Sequence, residues 1–316
     1  MARIFFSVDV HGASSVWRKW LNAAKEHEAD VLMLCGDLAG KALVPLIEQS
    51  DGNAVAFYFG RDWILETENE KRDMEKRLAD AGIYTVRATP DQIEEWQQNS
   101  EEVDRLMTKE MEKRMSQWLD LLLREIDTSK TTVIVMPGND DDLVLDDIIK
   151  NYADKGVIFP LGQVITIAGY ETISLAHTNP TPWDTPRETD ERHLARMIKE
   201  EVTKLRDPQK SIFNFHCPPY GTRLDLAPEL DKNLRPVTIA GQISFKPVGS
   251  KAVRDAILKH EPMLGLHGHI HESYGAEKLG STVILNPGSE YGEGILRGFV
   301  VEITDKGLEG YYKVEG

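Results

Sequence analysis

Three histidines, His267, His269 and His271, lie within five residues of one another in the C-terminal part of the chain. They follow a short apolar run from Met263 to Leu266, which predicts a buried strand. Side chains alternate in direction along an extended segment, so the three imidazoles could share one face, and a turn at Gly268 lets neighbouring rings point towards one position. Neutral imidazole is a good ligand for Zn, Fe, Ni and Mn ions. The cluster is therefore a candidate metal site, and a run of surface or hydrogen-bonded histidines is the alternative.

Four other predicted strands also end in side chains that can bind metal ions. These are Asp9 with His11 after residues 3–8, Asp37 after residues 31–35, Asn139 after residues 131–136, and His216 after residues 211–215. In open α/β sheets, ligands bind at the carboxyl ends of the strands, where loops from several strands converge. Carboxylate, amide and imidazole donors could therefore meet in one site, and the two oxygens of Asp37 could bridge two cations. Each signal alone is common by chance, but their occurrence in this order at strand ends is specific.

The elements that must position these residues alternate between strands and helices, which is typical of a layered α/β domain with parallel strands near its centre. Ser14 opens an amphipathic helix, Ala54 to Tyr58 is a further strand, and residues 249–260 form a helix before the histidine strand. From about residue 61 to residue 127, Met, Trp and Leu recur at helical spacing among charged residues. We expect a helical insertion here, with its apolar stripe packed on the sheet or at a partner surface, within a single domain that covers residues 1–316.

The composition excludes several classes of protein. Of the 316 residues, 41% are hydrophobic, which is enough for a sizeable core, and two cysteines are too few for a disulfide framework. Cys35 and Cys217 follow apolar runs, which favours buried, reduced thiols in a cytoplasmic protein. No signal peptide or bilayer-spanning segment is expected. The net charge of −15 argues against a general nucleic-acid or membrane-surface binder and leaves a small anionic substrate held by metal ions.

Five motifs occur in order along the chain: Asp9-x-His11, Gly36-Asp37-x-x-Gly40, Gly138-Asn139-Asp140, the lone His216, and Gly268-His269-x-His271. Together they resemble the calcineurin-like metallophosphoesterase superfamily, with loops similar to those of its smaller prokaryotic and archaeal members. The resemblance spans Asp9 to His271 apart from the insertion. It implies the metallo-dependent phosphatase fold, a four-layer α-β-β-α sandwich of two mixed β-sheets flanked by helices.

The resemblance also implies a dinuclear metal centre. One ion would be held by Asp9, His11, Asp37 and His271, and the second by Asp37, Asn139, His216 and His269, with Asp37 as the bridge. Mixed nitrogen and oxygen ligands fit divalent Mn, Fe, Zn or Ni better than Mg or Ca. The implied reaction is hydrolysis of a phosphoester by a hydroxide that bridges the two ions, with Asp37 in a catalytic role and Asn139 near the substrate.

One position departs from the family pattern. Where the family usually has a histidine that assists the leaving group as an acid, this chain has Asp140. A carboxyl group near two cations is expected to be ionised and a poor acid, so a phosphodiester with a well-stabilised leaving group is favoured over a monoester. His177 or His267 could take the place of the missing histidine. Arg187 and Arg223 are candidates to contact substrate oxygens, because guanidinium binds them in bidentate fashion, and surface salt bridges are the alternative.

The sequence therefore favours a cytoplasmic, metal-dependent phosphodiesterase with a small substrate, and manganese is among the candidate metals. Two other functions stay open. The first is a non-catalytic scaffold or binding protein on the same fold, for which Asp140 and the Met and Trp stripe argue. The second is a nuclease, which the acidic charge disfavours. The stripe also makes a homo-oligomer through the insertion plausible.

Overall fold

A computed structural model describes residues 1–316 as seven α-helices and 20 β-strands. The helices are α1 (Ser14–Glu26), α2 (Glu68–Asp80), α3 (Pro90–Gln98), α4 (Ser100–Glu125), α5 (Val144–Lys150), α6 (Glu191–Val202) and α7 (Lys251–His260). The strands are β1 (Ala2–Ser7), β2 (Val31–Cys35), β3 (Ala42–Glu48), β4 (Ala54–Tyr58), β5 (Arg61–Leu65), β6 (Ile83–Ala88), β7 (Thr132–Met136), β8 (Val157–Ile158), β9 (Ile165–Ile167), β10 (Tyr170–Leu175), β11 (Ser211–Phe215), β12 (Leu226–Pro228), β13 (Thr238–Ile239), β14 (Gln242–Ile243), β15 (Phe245–Pro247), β16 (Leu264–Leu266), β17 (Gly275–Leu279), β18 (Thr282–Asn286), β19 (Arg297–Thr304) and β20 (Gly307–Glu315). Short 3-10 helices cover Ala153–Lys155, Pro208–Lys210 and Tyr291–Glu293.

Two six-stranded mixed sheets form the middle of the molecule. The first has the order β20-β19-β1-β2-β7-β8, and the second has the order β17-β18-β16-β11-β10-β9. The run β1-β2-β7-β8 is parallel in the first sheet, and the run β18-β16-β11-β10 is parallel in the second. Antiparallel strands occupy the remaining outer positions. Because parallel strands of one sheet end on the same side, the residues that follow them share one edge.

Side-chain alternation along the strands builds the layers. Ile4 and Phe6 of β1 face the second sheet and join a buried cluster that fills the space between the two sheets. Phe5 faces the other way, into a cluster under α1, α4 and α5. Helices α6 and α7 cover the far side of the second sheet through a third cluster that includes Leu194 and Val253. The predicted four-layer α-β-β-α sandwich is confirmed, and burial on both faces explains why the central strands are continuously apolar.

The segment at residues 61–127, predicted to be a helical insertion, contains helices α2, α3 and α4 but also two strands. Strands β5 and β6 lie within it, and with β3 and β4 they form a separate sheet of order β5-β4-β3-β6. Strand β4, residues 54–58, therefore belongs to this small sheet and not to the central ones. Helix α2 packs on it through a core formed by Leu46, Ala54, Ala56, Leu65, Met74 and Leu78. Strands β3 and β5 are largely half-exposed or exposed, so they lack the continuous apolar run that identified the central strands.

Helix α4 carries the Met and Trp stripe, and most of the stripe is buried inside the chain. Met111, Met115 and Trp118 join the cluster beneath α1, where Trp118 stacks on Trp17 with ring centroids 4.6 Å apart. Arg114, from the same helix, donates hydrogen bonds to the carbonyls of residues 12 and 83. These stripe residues therefore belong to the hydrophobic core, and Arg114 ties α4 to the loop that follows β1. None of the helices combines the length and the apolar character needed to cross a bilayer.

Candidate metal centre

The loops that follow five parallel strands meet at one edge of the sandwich. The amide of Asp9, after β1, donates to the carbonyl of Gly36, after β2, and the amide of Gly36 donates to Met136 at the end of β7. In the second sheet the amide of Gly268, after β16, donates to the carbonyl of His216, after β11, at 2.9 Å. Backbone hydrogen bonds therefore fix these loops relative to one another within each sheet.

Six of the predicted metal ligands form two adjacent groups at this edge. The first group contains Asp9, His11, Asp37 and His271, and the second contains Asp37, His216 and His269. Within each group the donor atoms lie within 4.8 Å of one another. Asp37 belongs to both. Its Oδ2 is 3.7 Å from His11 Nε2, and its Oδ1 is 3.4 Å from His216 Nε2. The structure thus brings distant motifs together around one shared carboxylate.

Asn139, the seventh predicted ligand, lines the same cavity as Asp37 and His269. Its side-chain nitrogen donates to Thr185 Oγ at 2.8 Å, which leaves Oδ1 buried and without a hydrogen-bond partner. A fixed neutral oxygen of this kind is a suitable ligand for a cation. Sequence reasoning did not identify Thr185, which orients this amide.

The donor set fits a pair of cations. Two of the donor atoms, Asp9 Oδ1 and His216 Nε2, are buried and have no hydrogen-bond partner. Such atoms are costly to leave unpaired in a protein interior. In addition, His11 Nε2 and His271 Nε2 are 3.0 Å apart. Two imidazole nitrogens this close to each other could both be held by one cation.

The protein groups around the centre shift the pKa values of the candidate ligands in different directions. Some side chains are therefore neutral at neutral pH, and others hold a proton. Burial lowers the pKa of His269 to about 3 and that of His271 to about 4, so both imidazoles keep a free lone pair at neutral pH. Burial opposes the charge on His216 too, but Asp37 and Asp9 outweigh it and raise the pKa of His216 to about 9. Burial raises the pKa of Asp9 to about 7. Burial also disfavours ionisation of Asp37, yet His216 keeps the pKa of Asp37 well below its usual range.

Four candidate ligands have left-handed backbone conformations, which are uncommon for residues other than glycine. The φ angles are 53° at Asp9, 39° at His11, 44° at Asp37 and 68° at His269. Each such residue costs about 1–3 kcal/mol and persists only where the surrounding structure enforces it. This concentration of strain on the proposed ligands is a property of a functional site, and nothing in the sequence indicated it.

Glycines leave room for the ligands at two close approaches. A Cβ atom added at Gly36 would lie 2.0 Å from His216 Nδ1, and one added at Gly138 would lie 2.1 Å from Asp37 Oδ1. Gly36 also has a φ of 118°, which favours glycine. The glycines of the two motifs are therefore needed for the close packing of the donor groups.

Asp141 joins the loops that carry Asp37 and Asn139, and sequence reasoning missed it. Its buried carboxylate accepts hydrogen bonds from the amides of Leu38, Ala39 and Gly138 at 2.7–3.0 Å. The only sequence signal for it is the acidic run that continues after Gly138-Asn139. Asp141 therefore positions the two loops and does not itself join either donor group.

Asp140, at the position of the family's histidine, is paired with Lys41. The Asp140 carboxylate also lies 3.9 Å from His11 Nδ1, and its backbone amide donates to Asp37 Oδ1 at 3.0 Å. Burial and the nearby Asp37 raise the pKa of Asp140, and Lys41 opposes them. Bound cations would favour its ionised form further. Lys41 follows the Gly-Asp-x-x-Gly motif directly and was not predicted.

Tyr291 is a second residue at the site that sequence reasoning missed. Its ring centroid is 4.6 Å from that of His11 and 5.9 Å from that of His271. It lies in the 3-10 helix Tyr291–Glu293, a few residues after the end of β18. The phenol ring therefore limits how far these two imidazoles can rotate.

Neither of the two arginines proposed to contact substrate lines the cavity above the donor groups. Arg187 is 2% exposed, and its guanidinium pairs with Asp146 at 2.6 Å and donates to the carbonyls of Asp141 and Asp142. It is a brace for the loop after β7. Arg223 is exposed but does not line the cavity above the donor groups.

Neither histidine proposed as a substitute acid reaches the donor groups. His267 is buried, and its Nδ1 lies 2.8 Å from the carbonyl oxygen of Phe215 and 3.1 Å from that of Cys217. Through these contacts it links the ends of β16 and β11. His177 is half-buried, and burial lowers its pKa, but it does not line the cavity.

A cavity of about 960 Å³ opens above the donor groups. One wall contains Asp37, Asn139 and His269. The opposite wall is an arm formed by residues 226–248, in which β12 pairs with β15 and β13 pairs with β14. Trp183, which is 63% exposed, lies at the rim. The cavity is therefore larger than two metal ions at the donor groups would need.

Comparisons with known proteins agree with this fold. No family model matches the chain. The uncharacterized protein MJ1162 of Methanocaldococcus jannaschii is 30% identical over 161 residues, which cover 49% of this chain and only 63% of that relative. One crystal structure aligns with a TM-score of 0.57 and 18% identity over 99% of this chain and 98% of its own. TT1561 of Thermus thermophilus aligns with a TM-score of 0.51 and 15% identity over 94% and 93% of the two chains. At these identities the likeness is one of fold alone.

Proposed function

We propose that the chain is a dinuclear metal-dependent phosphoesterase that hydrolyses a small phosphodiester. The observation that carries the proposal is the pair of donor groups that share Asp37 and contain buried donor atoms without partners. The first ion would be held by Asp9, His11, Asp37 and His271, and the second by Asp37, Asn139, His216 and His269. Mixed nitrogen and oxygen donors support Mn, Fe, Zn or Ni, and we propose manganese first.

Divalent cations held in this way act as Lewis acids that polarise a phosphoryl oxygen and lower the pKa of a water molecule. The protein's part is to hold the donors in place before substrate arrives. Thr185 orients the Asn139 amide, Asp141 fixes the loops, and Tyr291 limits rotation of the imidazoles. Because these contacts form without substrate, little reorganisation is needed when charge develops on the phosphoryl group.

A diester is favoured over a monoester by the size of the cavity and by Asp140. The space between the donor groups and the arm can hold the second ester substituent, which a monoester lacks. Lysines 232 and 246 of the arm face this space, but the net charge of −15 does not suit a long nucleic-acid strand. The buried, unpaired thiols of Cys35 and Cys217 suit a reducing compartment, and we propose the cytoplasm.

Hydrolysis of bis-p-nitrophenyl phosphate and a panel of mono- and diesters, with Mn²⁺, Fe²⁺, Zn²⁺ or Ni²⁺ added, tests the proposal. We expect metal-dependent cleavage that is lost in His216→Ala. The matched control is Asp127→Asn, which changes an exposed carboxylate paired only with neighbouring Ser129 and Lys130. A metal-loaded protein that cleaves none of the esters would favour a non-catalytic scaffold, and steeply salt-dependent cleavage of single-stranded DNA would favour a nuclease.

A further inference from the structure

The ion pair between Lys41 and Asp140 is a charged contact beside the donor groups that the proposed metal ligation does not use. Lys41 lies on the short segment that leads from the Asp37 loop into β3 of the small sheet. Asp140 comes directly after Asn139. Both line the cavity, so the pair is placed where a substrate bound at the metals would pass.

The two partners differ in their freedom to reach a substrate. The Asp140 side chain is 13% exposed, and its backbone amide is held by Asp37 Oδ1. The Lys41 side chain is 51% exposed, and its ammonium has no other hydrogen-bond acceptor than Asp140. An ammonium on a flexible stem can move towards a substrate oxygen, whereas the carboxylate is anchored. Lys41, not Asp140, is therefore the group that can contact the reacting atoms.

Lys41 is also the cation nearest to the donor groups among those that line the cavity. The other two, Lys232 and Lys246, belong to the arm on the opposite wall. The Asp140 carboxylate lies 3.9 Å from His11 Nδ1 of the first donor group. The Lys41 ammonium contacts this carboxylate, so only Asp140 separates it from the donor group. Lys41 therefore places a positive charge inside the cavity at the edge of the first donor group.

We propose, on the basis of the proposed function, that Lys41 stabilises the leaving group and that Asp140 positions it, replacing the missing family histidine. In the reaction, a water oxygen forms a bond to phosphorus while the bond from phosphorus to the leaving oxygen breaks. The electron pair of that bond stays on the leaving oxygen, to which the Lys41 ammonium donates a hydrogen bond. Solvent takes the proton that the water loses and supplies the one that the alcohol gains.

Leaving groups of different basicity distinguish this role from simple phosphate binding. A good leaving group such as p-nitrophenolate needs little stabilisation, whereas phenolate and methoxide need much more. With methyl p-nitrophenyl phosphate, we expect the kcat of Lys41→Ala to be less than about 5-fold lower than that of the wild type. With methyl phenyl phosphate and dimethyl phosphate, we expect kcat to fall by about 10²-fold, which is the usual scale of such assistance. Lys41→Arg should restore most of the loss, and Asp140→Asn should show the same trend more weakly.

The control variant is Lys130→Ala, which removes the lysine of an exposed lysine–aspartate pair outside the cavity and should leave the whole series unchanged. Metal content and melting temperature are measured for every variant, and Lys41→Met, which keeps the apolar stem, replaces Lys41→Ala if the latter is unstable. An equal loss on all three esters, or no loss, would overturn the inference. Absence of cleavage by the metal-loaded wild-type protein would instead overturn the proposed function, and this inference with it.

Discussion

At the scale of single residues, both donor groups depend on Asp37, because each of its carboxylate oxygens faces a different group. Asp37→Asn keeps the shape but removes the charge and one acceptor. We predict loss of at least one metal ion and a fall in kcat of about 10³-fold or more, since metal charge stabilisation is worth several kcal/mol and each 1.36 kcal/mol is tenfold. Atomic-emission spectrometry and diester hydrolysis measure the two effects. Full metal content in this variant would contradict a bridging role.

Two of the candidate ligands must give up protons before they can bind metal. With a pKa raised to about 7 for Asp9 and about 9 for His216, the metal-free centre holds protons that the unperturbed side chains would lack. A cation competes with those protons, so we predict that metal affinity increases as pH rises from about 6 to about 9 and that binding releases protons. Titration calorimetry in two buffers with different ionisation enthalpies measures the release. An affinity independent of pH over this interval would show that these residues are not ligands.

The residues of the two donor groups could be predicted from sequence because each combines a side chain able to bind metal with the end of an apolar strand. Lys41 and Asp141 could not, since a lysine after glycine and one aspartate in an acidic run have no distinctive spacing. Their roles depend on contacts between loops that are about 100 residues apart in the chain. Arg187 is the opposite case. Its residue type and its loop both suggested substrate contact, but its side chain is buried and pairs with Asp146.

At the scale of elements, the loop after β7 works only if it can pass close to the loop after β2. A Cβ atom at Gly138 would lie 2.3 Å from the backbone nitrogen of Asp37, which cannot move aside cheaply. We predict that Gly138→Ala displaces Asp37 and lowers kcat by about 10²-fold, the scale of a 1 Å misplacement in an active site. Gly310→Ala in β20, where the nearest atom is 3.8 Å away, should match wild type in activity and metal content. Normal activity of the Gly138 variant would show that the loop can shift freely.

The central strands could be placed from sequence to within one or two residues because both of their faces are buried. The small sheet was missed for the opposite reason, since a half-exposed strand among charged residues has no apolar run to mark it. Helix α4 was identified by its stripe, but periodicity does not say what a stripe packs against. Only the contact of Trp118 with Trp17 shows that it belongs to the core.

At the scale of the whole molecule, the candidate metal centre joins the two sheets. The donors from the first sheet follow β1, β2 and β7, and those from the second sheet follow β11 and β16. Apart from a hydrogen bond from the amide of His269 to Asp9 Oδ2 at 2.9 Å, the two sets face each other mainly through side chains that would bind the ions. Metal ions bound there would therefore act as cross-links at one edge of the sandwich.

We predict that metal ions stabilise the fold in addition to supplying chemistry. An ion at a concentration 100 times its Kd stabilises the folded state by about 2.7 kcal/mol, so two ions should raise the melting temperature by about 10 °C. Differential scanning calorimetry compares the melting temperature of chelator-treated protein with that of the same protein after Mn²⁺ is restored. Hydrogen exchange at residues 9–12 and 268–271 measures the local effect. Asp37→Asn should show little of this shift, because it lacks the ligand that the two groups share. If the metal-free wild type melted at the same temperature and exchanged as slowly as the loaded protein, the two sheets would be held together without the ions.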